Sequence, residues 1–121
     1  MDIAMQIDNA IQVHTDWFLR LRRAIESGQS EFDPDIVKTD YNCVFGKWLY
    51  REVPQEYRST AIYFEIKDLH ARFHTAAGHV LLLALTGKKE QALQDLEAGT
   101  EIRKISLALI MKCNECKEQW K

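Results

Sequence analysis

The chain is poor in the residues that interrupt helices, with two prolines and five glycines among 121 residues. No stretch alternates apolar and polar residues with the two-residue period of a strand. No strand is predicted on those grounds. Neither sign of charge is in excess: 16 Lys and Arg face 18 Asp and Glu, for a formal net charge of -2. No broad basic surface exists to attract phosphate backbones or anionic lipid, so nucleic acid is not an expected partner. Long apolar runs are missing too. The longest, Val80-Leu-Leu-Leu-Ala-Leu85, falls far short of the roughly 20 residues of a membrane span, so membrane insertion is not expected. The start, Met1 to Asp8, is acidic and lacks the charged-then-apolar layout of a secretory signal, which predicts a cytoplasmic protein. Cysteine is scarce and odd in number, three residues beside four histidines. Reduced thiols or metal ligands fit that count better than a disulfide framework.

What is present is helical periodicity. At this length the chain reads as one domain, residues 1–121, with one core. Ile3, Ile7, Ala10/Ile11, His14, Trp17/Phe18, Leu21 and Ala24/Ile25 recur every three or four residues, predicting a helix that stops at Gly28. Residues 28–40 read as a connector with a short turn after Pro34. Asp40 is the expected N-cap of a short helix over about 41–52, which puts Cys43 at its third position, where backbone amides favour a thiolate. Pro54 ends that segment. A third helix is predicted from between Gln55 and Thr60 to Thr86, and a fourth from Lys89 to the end after a tight turn at Gly87. The predicted fold is all-α, a four-helix bundle of three long helices and one short helix that carries Cys43. The fourth helix shows two apolar stripes, one suited to the bundle and the other to a second chain.

His70 and His74 stand four residues apart on the inward stripe of the third helix, so both imidazoles face one point. At about 1.5 Å per residue, His14 lies at a similar height on the first helix. With Cys43 they make a donor set of three nitrogens and one sulfur, the number and type that a structural or sensing Zn²⁺ site takes. Each residue alone has a plainer reading. A single His in an apolar stripe is most often a core residue, H-x-x-x-H recurs by chance, and a lone Cys is usually a small apolar filler. Together, three inward imidazoles without partners are costly to bury, which favours the metal. A carboxylate, Asp40 before Asp68, is expected to orient a ligand or offset the ion's charge. Oxidation of Cys43 would weaken the metal's hold. His79, five residues past His74, faces elsewhere. Cys113 and Cys116 fall on an apolar helical face and read as core or interface residues.

Cys43-Val-Phe-Gly46-Lys47-Trp48-Leu49, with His14-Thr-Asp-Trp17 before it and His70-Ala-Arg-Phe-His74 after it, resembles the chemoreceptor zinc-binding (CZB) domain family from about Ala10 to Ala77. The resemblance implies a four-helix bundle holding zinc through His14, Cys43, His70 and His74. It implies a bacterial sensory role in chemotaxis, in cyclic-di-GMP signalling or in a stand-alone protein, often as a homodimer. Zinc occupancy or oxidation of the zinc-bound cysteine would be the signal. A methyl-accepting region or cyclase domain does not fit in 121 residues, so the chain is expected to be a stand-alone sensor or a piece of a longer receptor, with a signalling protein or receptor output domain as its partner.

With four protein ligands no coordination position remains for an activated water, and H-E-x-x-H is absent, so the protein is not expected to be an enzyme. Two alternatives compete. A di-iron oxygen-binding bundle needs inward carboxylates and Glu-x-x-His pairs, yet Lys67 and Ala71 stand three before His70 and His74. A thiol redox protein using Cys113 and Cys116 needs an accessible thiol of low pKa.

Overall fold

The computed structural model describes residues 2–120, and every regular element among them is helical. In chain order these are α1 (Ile3–Ser27), α2 (Pro34–Val37), α3 (Val44–Lys47), a π-helical turn (Trp48–Glu52), a 3-10 turn (Gln55–Tyr57), α4 (Ala61–Leu85), α5 (Lys89–Asp95) and α6 (Glu101–Gln119). The long helices α1, α4 and α6 pack on one another, with α2 against α4, α3 against α1, and α5 against both α1 and α4. No helix of the described residues is long and apolar enough to cross a membrane.

The three-four spacing of α1 buries Ile7, Ala10, His14, Trp17, Leu21, Ala24 and Ile25 as predicted. Asp2 caps its start by accepting from the Met5 amide at 2.8 Å, which gives one orphan donor a partner. Gly28 ends it with φ 71°, in the left-handed region where a residue without Cβ is unstrained. The predicted third helix is α4, capped by the Thr60 hydroxyl.

Two segments depart from the sequence reading. Residues 41–52 do not form one helix capped by Asp40; Cys43 is itself the N-cap, extended at φ -83° and ψ 165°, and its sulfur accepts from the Gly46 amide at 3.2 Å. The backbone of Asp40 crosses directly over Gly46, where any Cβ would collide with the Asp40 carbonyl, so residues 40–42 cannot be the preceding helical turn. The helix then widens, and the Val53 amide reaches back five residues to the Trp48 carbonyl at 3.1 Å. The other departure lies after Lys89, where one predicted helix is two. Gly99 at φ 85° breaks it. The Thr100 hydroxyl takes the Asp95 carbonyl at 2.9 Å and Arg103 takes that of Leu96 at 2.7 Å, so the end of α5 is satisfied locally.

The core divides into two apolar clusters. One gathers Trp17, Leu21, Val37, Phe73, Leu81, Ile102 and their neighbours; the other gathers Ile7, Phe45, Trp48, Leu49, Ile66, Leu109 and Trp120. Cys43 and Leu69 pack against both, which places the cysteine at the seam. Of the two apolar stripes in the C-terminal region, Ile102, Ile105, Leu109, Cys113, Cys116 and Trp120 are buried, whereas Leu107 is 61% exposed.

Candidate metal centre

Cys43, His70 and His74 bring one ligand atom each to within 4.8 Å of one another. The Cys43 sulfur lies 3.3 Å from Nε2 of His70 and 3.2 Å from Nε2 of His74. Zinc bonds of about 2.3 Å to sulfur and about 2.0–2.1 Å to nitrogen set the sulfur–nitrogen edge of a tetrahedron at about 3.5 Å. The donors are therefore a few tenths of an ångström closer than a zinc ion would hold them. Both histidines come from one face of α4 and the sulfur from the start of α3, so packing of separate segments assembles the group.

His74 is oriented from behind. Its Nδ1–H donates to the Val37 carbonyl at 2.7 Å, which fixes the proton there and leaves the Nε2 lone pair toward the sulfur. The His70 ring stacks on Phe45 with centroids 4.5 Å apart, and its Nδ1 is buried without a hydrogen-bond partner. Burial makes all three core histidines hard to protonate. It pushes His14 down to about 4, with help from the charge of His74, and His70 down to about 2, with help from His74 and His14. His74 is lowered by burial as well, against the opposing pull of the Val37 carbonyl and Asp40. Neutral imidazoles are the form that binds metal.

The thiol differs from expectation. Burial raises its pKa more than the amide hydrogen bonds from the α3 start lower it, and the negative Asp40 raises it further. Position at a helix start alone does not make Cys43 a thiolate in the metal-free protein. A bound cation would reverse that preference.

His14 is buried beside this group but outside its 4.8 Å circle. Its ring meets Phe73 edge-on at 4.3 Å, Nε2 lies 2.9 Å from the Ser106 hydroxyl, and Nδ1 has no partner. A buried ring nitrogen left without a partner in apolar surroundings fits a metal ligand in waiting. Asp40 accepts a hydrogen bond from the Tyr50 hydroxyl, and its charge acts on both Cys43 and His74. Asp68 is exposed and pairs with Arg72 at 3.7 Å, away from the centre. His79 also lies on an exposed face, 4.0 Å from Asp95. Cys113 and Cys116 are buried; burial raises both thiols, that of Cys116 to about 12, and Cys116 donates to the Cys113 carbonyl at 3.1 Å. Sequence reasoning missed Val37, which acts through its backbone, and Ser106, whose signal was a hydroxyl inside the Ile102–Ile105–Leu109 stripe.

The family profile described as chemoreceptor zinc-binding domain matches residues 14–81, more than half of the chain. The chain belongs to the CZB family. Neither a curated protein nor a solved structure matches it. The matched CZB segment begins at His14 and contains Cys43, His70 and His74. Zn²⁺ is the cofactor that family membership and the Cys/His/His group indicate together. Among the described residues the group consists of one thiol and two imidazoles, the donor types of a zinc site.

Proposed function

We propose that this CZB domain is a bacterial zinc-binding sensory module in which His14, Cys43, His70 and His74 hold one Zn²⁺ within a four-helix bundle. The observation that carries this reading is the convergence of Cys43, His70 and His74 within 4.8 Å, in a family that binds zinc. His14 supplies the fourth donor through its unpartnered ring nitrogen, and its burial next to the other two histidines supports that role. Asp40 offsets the ion's charge at the Cys43 side. The module is not itself an enzyme. It acts in the cytoplasm as a homodimer, in chemotaxis or cyclic-di-GMP signalling or as a stand-alone sensor, and passes its state to a signalling protein or receptor output domain.

The signal is zinc occupancy or the oxidation state of Cys43. When bound, Zn²⁺ holds the sulfur as a thiolate, the nucleophilic form. Among the four donors Cys43 alone is not fully buried, and a cavity of about 230 Å³ lined by Trp17, Phe32, Asn42 and Val44 opens onto it. A peroxide entering there would transfer one oxygen to sulfur as its O–O bond breaks, leaving a sulfenic acid and hydroxide. The oxidised sulfur is a poor ligand, and the centre loses one of its four donors.

Equilibrium dialysis followed by elemental analysis tests the ligand set. One zinc per chain is expected for the native sequence, with loss of tight binding in Cys43→Ala and in His14→Ala. Full stoichiometry at unchanged affinity in either variant would remove that residue from the set.

A further inference from the structure

The buried polar side chains of the described core are four: His14, His70, His74 and Ser106. Three are the proposed nitrogen ligands. The fourth lies on α6, beyond the segment matched to the family, and touches only one of them, with its hydroxyl 2.9 Å from Nε2 of His14. We propose that Ser106 is the positioning residue that makes His14 bind metal through Nδ1, whereas His70 and His74 bind through Nε2. This inference rests on the reading of His14 as the fourth ligand.

A neutral imidazole has one N–H and one lone pair, and the partner of one nitrogen decides which. Two arrangements satisfy the Ser106 contact. If the hydroxyl donated to Nε2, the proton of His14 would sit on Nδ1, a buried N–H with nothing to accept it and no nitrogen left to coordinate. Such an orphaned donor is destabilising, because its lost hydration is not replaced. If Nε2–H donates to the Ser106 oxygen instead, the unpaired group is the Nδ1 lone pair, which a cation can take. The second arrangement therefore gives the Nδ1 of His14 a partner when metal binds, and the first never does.

His74 shows the same device with the nitrogens exchanged. There Nδ1–H goes to the Val37 carbonyl and Nε2 faces the sulfur. In these two rings one nitrogen is held by the protein and the other is left for the ion, whereas Nδ1 of His70 has no such partner. For His14 the holding group comes from a different long helix, so the hydrogen bond ties the centre to α6, 92 residues along the chain. Loading of the metal and seating of α6 against α1 should then favour each other by linkage.

The test compares the native protein with Ser106→Ala, Ser106→Thr and His14→Ala by competition with a chromogenic zinc chelator and by long-range ¹⁵N–¹H correlation of the imidazole rings in the zinc-loaded protein. Ser106→Ala should keep one zinc per chain but bind it about 10–100-fold more weakly. Ser106→Thr, which retains the hydroxyl, should recover most of that loss. The loaded native protein should show His14 with Nδ1 bound to metal and Nε2 protonated. Native affinity in Ser106→Ala, or metal on Nε2 of His14, overturns the positioning role while leaving the ligand set intact. Native affinity in His14→Ala overturns the ligand set itself, and this inference with it. A hydroxyl that merely supported packing would leave the nitrogen assignment unchanged in Ser106→Ala and would lower metal-free stability without selective loss of zinc; that result also overturns the proposal.

Discussion

His74 and Val37 are joined by a 2.7 Å hydrogen bond from the imidazole Nδ1–H to a main-chain carbonyl, so the orientation of a proposed metal ligand depends on where a four-residue helix sits. That helix, α2, is seated on α4 at Gly78, whose missing side chain admits it: a Cβ there would lie 2.8 Å from Cβ of Lys38 and 3.1 Å from the Pro34 carbonyl. Gly78→Ala should push α2 outward and weaken the hold on His74. The expected result is a stability loss of about 1–3 kcal/mol from overpacking and roughly tenfold weaker zinc binding from the disturbed outer hydrogen bond. Thermal unfolding and chelator competition measure the two effects. A variant with native zinc affinity would show that the carbonyl does not set the ring.

Gly46 presents a harsher version of the same dependence. The Asp40 carbonyl occupies the space of its Cβ, and its amide donates to the Cys43 sulfur at 3.2 Å. Gly46→Ala must displace the backbone that leads into Cys43. Zinc binding should fall at least tenfold, and unfolding should become easier by about 3 kcal/mol, the upper end for overpacking a core. If the variant binds zinc like the native chain, the 40–46 crossing does not position the sulfur.

The long helices were legible because their burial follows a simple period: the α1 stripe from Ile7 to Ile25 and the α4 stripe through Ile66, His70, Phe73 and Ala77 are buried as their spacing predicts. The pairing of His70 with His74 followed from the same geometry, and the motif around Cys43 supplied the sulfur. What the pattern did not show depends on chain crossings. A short segment carries too few turns for periodicity to locate its start, so Cys43 was placed three positions inside a helix that it caps. The break before α6 was written in Gly99-Thr100-Glu101, a left-handed glycine followed by an N-cap residue, but the apolar pattern runs through it. The Val37 carbonyl was hidden because a backbone group leaves no mark in the sequence, and Ser106 showed only as a hydroxyl in an apolar stripe, with nothing to say which ring it meets.

Asp40 should act on the centre in opposite senses with and without metal. Its charge raises the pKa of the Cys43 thiol, and it also favours a positive charge at His74. In the metal-free protein Asp40→Asn should make Cys43 more acidic, visible as alkylation that begins at lower pH. With zinc the same substitution removes a carboxylate that offsets the ion's charge, and affinity should fall by about tenfold. Tyr50→Phe, which removes only the donor to Asp40, should leave the charge in place and change affinity less. Equal losses in the two variants would mean that the hydrogen bond, and not the charge, is what matters.

The buried histidines predict how the metal-free protein responds to acid. In the unfolded chain they titrate near 6.5, but in the folded protein burial, followed by their mutual charges, lowers His14 to about 4 and His70 to about 2. Between these values the unfolded chain holds protons that the folded chain does not, so stability rises with pH. The contribution is fully present above pH 6.5 and is lost as pH falls toward 4, with His70 continuing to lose below that. For His14 alone the loss is on the order of 3 kcal/mol. Urea unfolding in the presence of a strong chelator, repeated from pH 7 to pH 4, should show a falling midpoint. His14→Leu, which replaces the ring with an uncharged side chain, should flatten the dependence by up to one proton. Zinc should shift the whole curve upward at neutral pH, by an amount that shrinks as protons displace it from imidazole and thiol. A metal-free midpoint that does not move over this range would mean that the three rings are not held neutral in the core.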